Sequence, residues 1–169
     1  RYPYWAWEDS GYRCLTRIHT ACRKPPEEDT DYYLNWIKLG RESQDNEQWH
    51  MLLVEEMIDR EGIALPPLRH KYLPKLMAFV YYRLTRLMFF IYPHSSFYMN
   101  AAFESHAEHE YMLLAKEHPE WDDEPVDSKY FEFYPPQKTL GDLIRRISLD
   151  ERDHMNHSLE EMDKLENRK

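Results

Sequence analysis

An all-α helical bundle is the fold this sequence predicts, and three observations carry that reading. The 169 residues include only 4 Gly and few β-branched runs, while Leu, Met, Glu, Lys and Arg, all good helix formers, are plentiful. Apolar residues recur at spacings of three and four, the period of a helix face and not of a strand. Prolines at positions 25–26, 66–67, 93, 119 and 135–136 divide the chain into segments too long for strands. The length suits one domain, residues 1–169, with a sizeable core.

Five helices are expected. The first runs from about Tyr4 to Arg23 and stops before Pro25 and Pro26. The second starts at Asp29 or Thr30, both capable N-caps, and reaches Arg60 ahead of Gly62. Gly40 lies within it at a cost of about 1 kcal/mol against Ala, which points to a bend or to close packing. The third follows Pro66 and Pro67 and ends by Pro93, with Pro74 either kinking it or opening its first turn. The fourth opens at Ser95 or Ser96 and stops before Pro119, and the fifth runs from near Thr139 to about Glu166. The polar stretch between the last two holds Trp121, Asp122, Asp123, Pro125, Pro135 and Pro136. A connection that long is uncommon in a compact domain and is often functional.

Composition excludes several classes. A net charge of −9, with no basic stripe, argues against nucleic-acid binding. The most apolar segment, Leu76 to Tyr92, is interrupted by Arg83 and Arg86, which fits a buried or interfacial helix better than a membrane span. The first residues do not read as a signal peptide. Cys14 and Cys22 stand eight apart on one expected helix, about 12 Å along its axis and beyond disulfide reach. Both read as small buried residues or free thiols, which leaves the redox compartment open.

Two Glu-x-x-His pairs, Glu47/His50 and Glu151/His154, fall on the second and fifth helices. Residues three apart project from one helical turn, so each pair can reach one metal. One Glu from each of two further helices completes the six-ligand cage of a di-iron four-helix bundle. Glu8 on the first helix and Glu104 on the fourth stand in those places. The fold class thus sharpens to a ferritin-like di-iron four-helix bundle with an additional helix. Glu47, His50, Val54, Met57 and Ile58 share one stripe, as do Leu140, Ile144, Ile147, Glu151 and His154. A carboxylate within an apolar stripe needs a partner, and a metal supplies one. Glu108 shares the face of Glu104 and Tyr111 and is a rival ligand, and Glu8 also reads as a first-turn acid stabilised by the helix dipole. His106 and His109 flank the fourth-helix carboxylates, as surface groups or as partners of the ligands.

The order of these residues resembles the alternative oxidase family, most closely its plastid terminal oxidase branch. The resemblance rests on Asn46-Glu47-Gln48-Trp49-His50 with the following Leu52, Leu53, Glu55 and Glu56. It extends to Glu104-Ser105-His106-Ala107 with Tyr111, and to Asp150-Glu151-Arg152-Asp153-His154. It runs from about Tyr4 to Met162, with the motifs in order and at similar gaps.

The resemblance implies a quinol:oxygen oxidoreductase that reduces O2 to water without pumping protons, using plastoquinol or ubiquinol. It implies two iron ions bound by Glu8, Glu47, His50, Glu104, Glu151 and His154, with Tyr111 as the redox-active tyrosine. Asn46 and Asp150 would orient the ligands. It also implies interfacial association with an organelle membrane, the chloroplast thylakoid first and the mitochondrial inner membrane as alternative. Quinol would enter along the first and fourth helices.

The chain departs from the family where Pro3 occupies the region of an arginine that usually precedes the first-helix Glu. Its first helix also carries Asp9, Arg13 and Arg17, and the stretch between helices four and five is shorter than in plastid terminal oxidases. Other readings share the cage: a di-iron hydroxylase, desaturase or cyclase, or ferritin-like iron storage. The polar first helix favours another, an oxidase-derived structural subunit of a larger photosynthetic or respiratory complex. A homodimer through the long third helix is a further expectation.

Overall fold

A computed structural model describes residues 2–20, 27–62 and 66–167. Five long helices account for most of them: α1 (Tyr2–Thr20), α2 (Glu27–Arg60), α3 (Leu73–Ile91), α4 (Pro93–Glu117) and α5 (Leu140–Asn167). No strand occurs among the described residues, so the all-α class holds. Arg23 and Cys22 lie outside them, while Cys14 is a free, half-buried thiol.

The helix ends follow local chemistry. Gly62 takes a left-handed φ of 64° immediately after α2, where its amide donates to the Asp59 carbonyl at 3.1 Å. That conformation suits a residue without Cβ and ends the helix. Pro74 sits in the first turn of α3, behind a π-helical turn at Leu68–Tyr72, so it opens the helix and does not kink it. Tyr92 is extended, with φ −153° and ψ 94°, as expected for a residue before proline. Pro93 therefore starts α4 two residues ahead of the expected serines, and Ser96 is buried instead of capping. α5 starts where expected, next to Thr139, which caps it with Oγ1 accepting from the Asp142 amide at 3.1 Å.

The helices fall into two compact units: residues 1–48 with 64–93, and residues 49–63 with 94–169. In the first unit, α1 packs on α3 and on the N-terminal part of α2. A Cβ on Gly40 would stand 2.7 Å from the Tyr4 carbonyl and 3.1 Å from the Glu8 Cβ. Of the two expectations for Gly40, close packing is the one realised. Tyr4, Ala6, Trp7, Trp36 and Ile37 are buried, with Trp36 edge-on to Phe89 of α3 at 4.9 Å. Asp9 binds both Arg13 and Arg86, so the polar residues of α1 are partly spent inside this unit. Within α3 only Thr85 and Phe89 are buried. Phe90 is 81% and Ile91 71% exposed, and Leu76, Met77 and Phe79 are also exposed. No described helix is long and apolar enough to cross a membrane.

In the second unit, Leu53, Leu143, Ile147 and Tyr134 form the core, with Trp49, Met57, Tyr111 and Val126 packed against it. The long connection between α4 and α5 is ordered. It carries two 3-10 turns, Pro119–Asp122 and Lys129–Glu132. Ser128 caps the second turn and donates to Glu56. Phe133 stacks on Trp49 at 4.9 Å.

Candidate metal centre

The second unit brings charged residues from three helical segments into its interior. Glu104 of α4, Glu151 and His154 of α5, and His50 of α2 are each at most 5% exposed. Burial of this kind is very costly for unpartnered carboxylates. Glu104, Glu151 and His154 each offer a ligand atom, and these atoms lie within 4.8 Å of one another. One helical turn carries Glu151 and His154, with Oε2 and Nδ1 3.9 Å apart.

His50 joins the group through hydrogen bonds. Its Nδ1 lies 3.0 Å from Glu151 Oε1 and its Nε2 3.1 Å from Asp150 Oδ2. Both ring nitrogens thus face carboxylates, and an ion at either would have to take the place of a hydrogen bond. Asp150 is the hub of this network. Tyr134 donates its hydroxyl to Oδ2 at 2.6 Å, and Arg146 Nη2 lies 2.7 Å from Oδ1.

Burial works to raise the Glu151 carboxyl, but the neighbouring side chains of His154, His50 and Glu104 outweigh it. They hold Glu151 well below the ordinary carboxylate range. A cation held between these buried carboxylates would offset their mutual repulsion. Burial, with the Asp150 hydrogen bond and charge, pushes the Tyr134 phenol far above its ordinary range. Tyr134 therefore stays a hydroxyl donor.

The donor set fits the metal the sequence implies. Carboxylate oxygens with imidazole suit hard divalent or trivalent iron, where thiolate sites would select zinc or copper(I).

The remaining expected residues are placed as follows. Tyr111 is half-buried on α4 against the Leu53, Leu143 and Ile147 core. Glu108, the rival ligand, pairs with Arg152 at 2.8 Å. His106 and His109 are exposed. Glu8, Asn46 and Glu47 belong to the first unit. There Glu8 accepts from Arg41 Nε at 2.9 Å through Oε1 and from Gln44 Nε2 at 2.7 Å through Oε2. Asn46 and Glu47 are half-buried on α2, Glu47 one turn before His50.

Two residues escaped the sequence reading. Tyr134 sits in an irregular segment with no period to mark its face. Arg146 was legible in principle, four residues before Asp150 on one helix, the spacing of a helical ion pair.

Residues 30–161 match the family model described as Alternative oxidase. No curated protein and no solved structure matches the chain significantly.

Proposed function

This chain belongs to the alternative oxidase family, and from that premise we propose that it oxidises a quinol and reduces O2 to water at a di-iron carboxylate centre. The observation that carries the proposal is the buried convergence of Glu104, Glu151 and His154. In this reading those three hold the metal together with Glu8, Glu47 and His50. Two irons held there would supply the redox chemistry, passing to each O2 the four electrons that two quinols give up.

The side chains around that centre have separate tasks. Asp150 fixes the tautomer and ring plane of His50, as an outer carboxylate does for a metal-site histidine. Tyr134 and Arg146 hold Asp150 in place and balance its charge. Asn46, one turn before His50, orients ligands from its own helix. The Leu53, Leu143 and Ile147 core keeps bulk water from the carboxylates, which strengthens every electrostatic interaction there. Tyr111, packed on that core, is assigned the role of electron and proton donor.

The exposed apolar residues of α3 support attachment to a membrane surface. By resemblance to the plastid branch this is the thylakoid with plastoquinol as donor, and the mitochondrial inner membrane with ubiquinol is the alternative. Phe90→Glu should weaken co-sedimentation with lipid vesicles, and unchanged co-sedimentation would remove α3 from the attachment.

The test of the activity is iron content together with quinol-dependent oxygen uptake. Both should be present in the native protein, and uptake should vanish in Glu104→Ala and fall steeply in Tyr111→Phe. Undiminished uptake in Glu104→Ala would sink the proposal. A second reading, an oxidase-derived subunit without turnover, is favoured by Glu8, whose two oxygens are taken up by Arg41 and Gln44. Iron without uptake, in a protein that co-purifies with a larger membrane complex, is its signature.

A further inference from the structure

The second unit contains a cavity of about 490 Å³ that none of the proposed metal ligands lines. The last turns of α2, the end of α4, the segment that follows it and the first turns of α5 build its walls. Ile144, the lining residue furthest along α5, precedes Glu151 by seven residues, about 10 Å of helix. The cavity is therefore a separate feature, and its reading does not depend on the function proposed above.

Its interior is apolar. Met57, Leu114, Val126 and Ile144 contribute aliphatic surface and Trp121 an indole. Protein interiors leave few voids larger than a water molecule, because a void forfeits the dispersion contacts of its lining. The volume lies in the range of small-molecule sites, roughly 300–1,000 Å³. The wall is also held open by contacts of its own. Trp121 stacks on His118 with centroids 4.2 Å apart and planes 13° from parallel. The connecting segment is pinned by Val126 N to Lys138 O at 3.2 Å and Leu140 N to Glu124 O at 2.9 Å.

Charge decides the kind of ligand. Three residues of charged type line it: Arg60, Glu61 and Glu124. Arg60 is already committed, to Glu56 Oε1 at 2.9 Å and to the Asp127 carbonyl. That leaves Glu61 and Glu124 as two exposed acceptors, while Arg60, the one cation among the described lining residues, is held by Glu56, so the rim carries a net negative charge. An anionic head would meet repulsion there, and an ammonium head would meet two carboxylates while its apolar body fills the interior.

We propose that this cavity binds a small molecule with an apolar ring body and a protonated amine. The body packs on Trp121, Leu114 and Ile144, and the amine sits at the mouth between Glu61 and Glu124.

Isothermal titration calorimetry of the full chain with three matched probes tests this: 1-naphthylmethylamine, 1-naphthalenemethanol and 1-naphthoate. The amine should bind saturably and at least about tenfold more tightly than the carboxylate, a difference expected for ion pairing at a partly desolvated mouth. Glu61→Gln with Glu124→Gln should abolish the preference for the amine while leaving the alcohol unchanged. Leu114→Trp, which fills the cavity, should weaken all three probes. Ile144→Trp provides the same test should Leu114→Trp not fold, with helicity by circular dichroism as the check. Absence of saturable binding, tighter binding of the naphthoate, or binding that survives a folded filler variant would each overturn the proposal.

Discussion

The Tyr134 hydroxyl donates a 2.6 Å hydrogen bond to Asp150 Oδ2, the same oxygen that lies 3.1 Å from His50 Nε2. A residue of the irregular connection between α4 and α5 thereby orients a histidine of α2 through a carboxylate of α5. All three are buried, so no water stands ready to replace a lost partner, and the network's geometry is set by the protein alone.

Tyr134→Phe keeps the ring and removes only the donor. Asp150 retains Arg146 and His50 but loses one bond in a buried setting, so the substitution should destabilise the chain by about 1–3 kcal/mol. Urea unfolding measures this, and an unchanged midpoint would show that the bond contributes nothing. The mutant should also bind iron more weakly, because His50 is less firmly oriented.

Glu104→Gln separates metal binding from folding. The amide is neutral and can donate to Glu151, and it removes a buried ionisable group. The metal-free variant should therefore be at least as stable as the parent in thermal melts. Its iron affinity should fall by more than the roughly 10–100-fold typical of losing an outer partner. A variant that melts early yet keeps its iron would show that Glu104 serves the fold and not the metal.

The depressed Glu151 carboxyl makes metal-free stability depend on acid pH. Its folded value lies below its unfolded one, so the unfolded chain binds more protons as pH falls. The contribution is fully present above the unfolded value, about 4.3 for Glu, and is lost as pH drops through the folded value. Urea midpoints of the metal-free chain should decline through this acid window, and Glu151→Gln should flatten the decline. Parallel curves would assign the acid sensitivity to other carboxylates.

Gly40→Ala should destabilise the chain although Ala is the better helix former by about 1 kcal/mol. The new Cβ would stand 2.7 Å from the Tyr4 carbonyl, a backbone atom that cannot rotate away. Separating α1 from α2 to relieve it should give a net loss of about 1–3 kcal/mol, typical of overpacking. A raised melting temperature would contradict the close approach.

Helix number, type and order were legible from the sequence because they depend on local chemistry. The spacing of apolar residues, the prolines and Gly62 act within a few positions of themselves. The pairing of Glu151 with His154 was legible for the same reason, since helix geometry alone puts residues three apart on one turn. Even the start of α4 was within reach, because Tyr92 is made extended by the proline that follows it.

Tertiary structure alone decided the partners. Glu104 and Glu108 are equivalent in pattern, yet the fold buries the first among Glu151 and His154 and gives the second to Arg152. For Gly40 the sequence left a bend and close packing both open, and only the Tyr4 backbone against it decides for close packing. Tyr134 carries no sequence mark, and only the folding of its segment onto α2 and α5 brings its hydroxyl to Asp150. Such contacts join residues far apart in the chain, and no local preference encodes which of several chemically equal groups will meet.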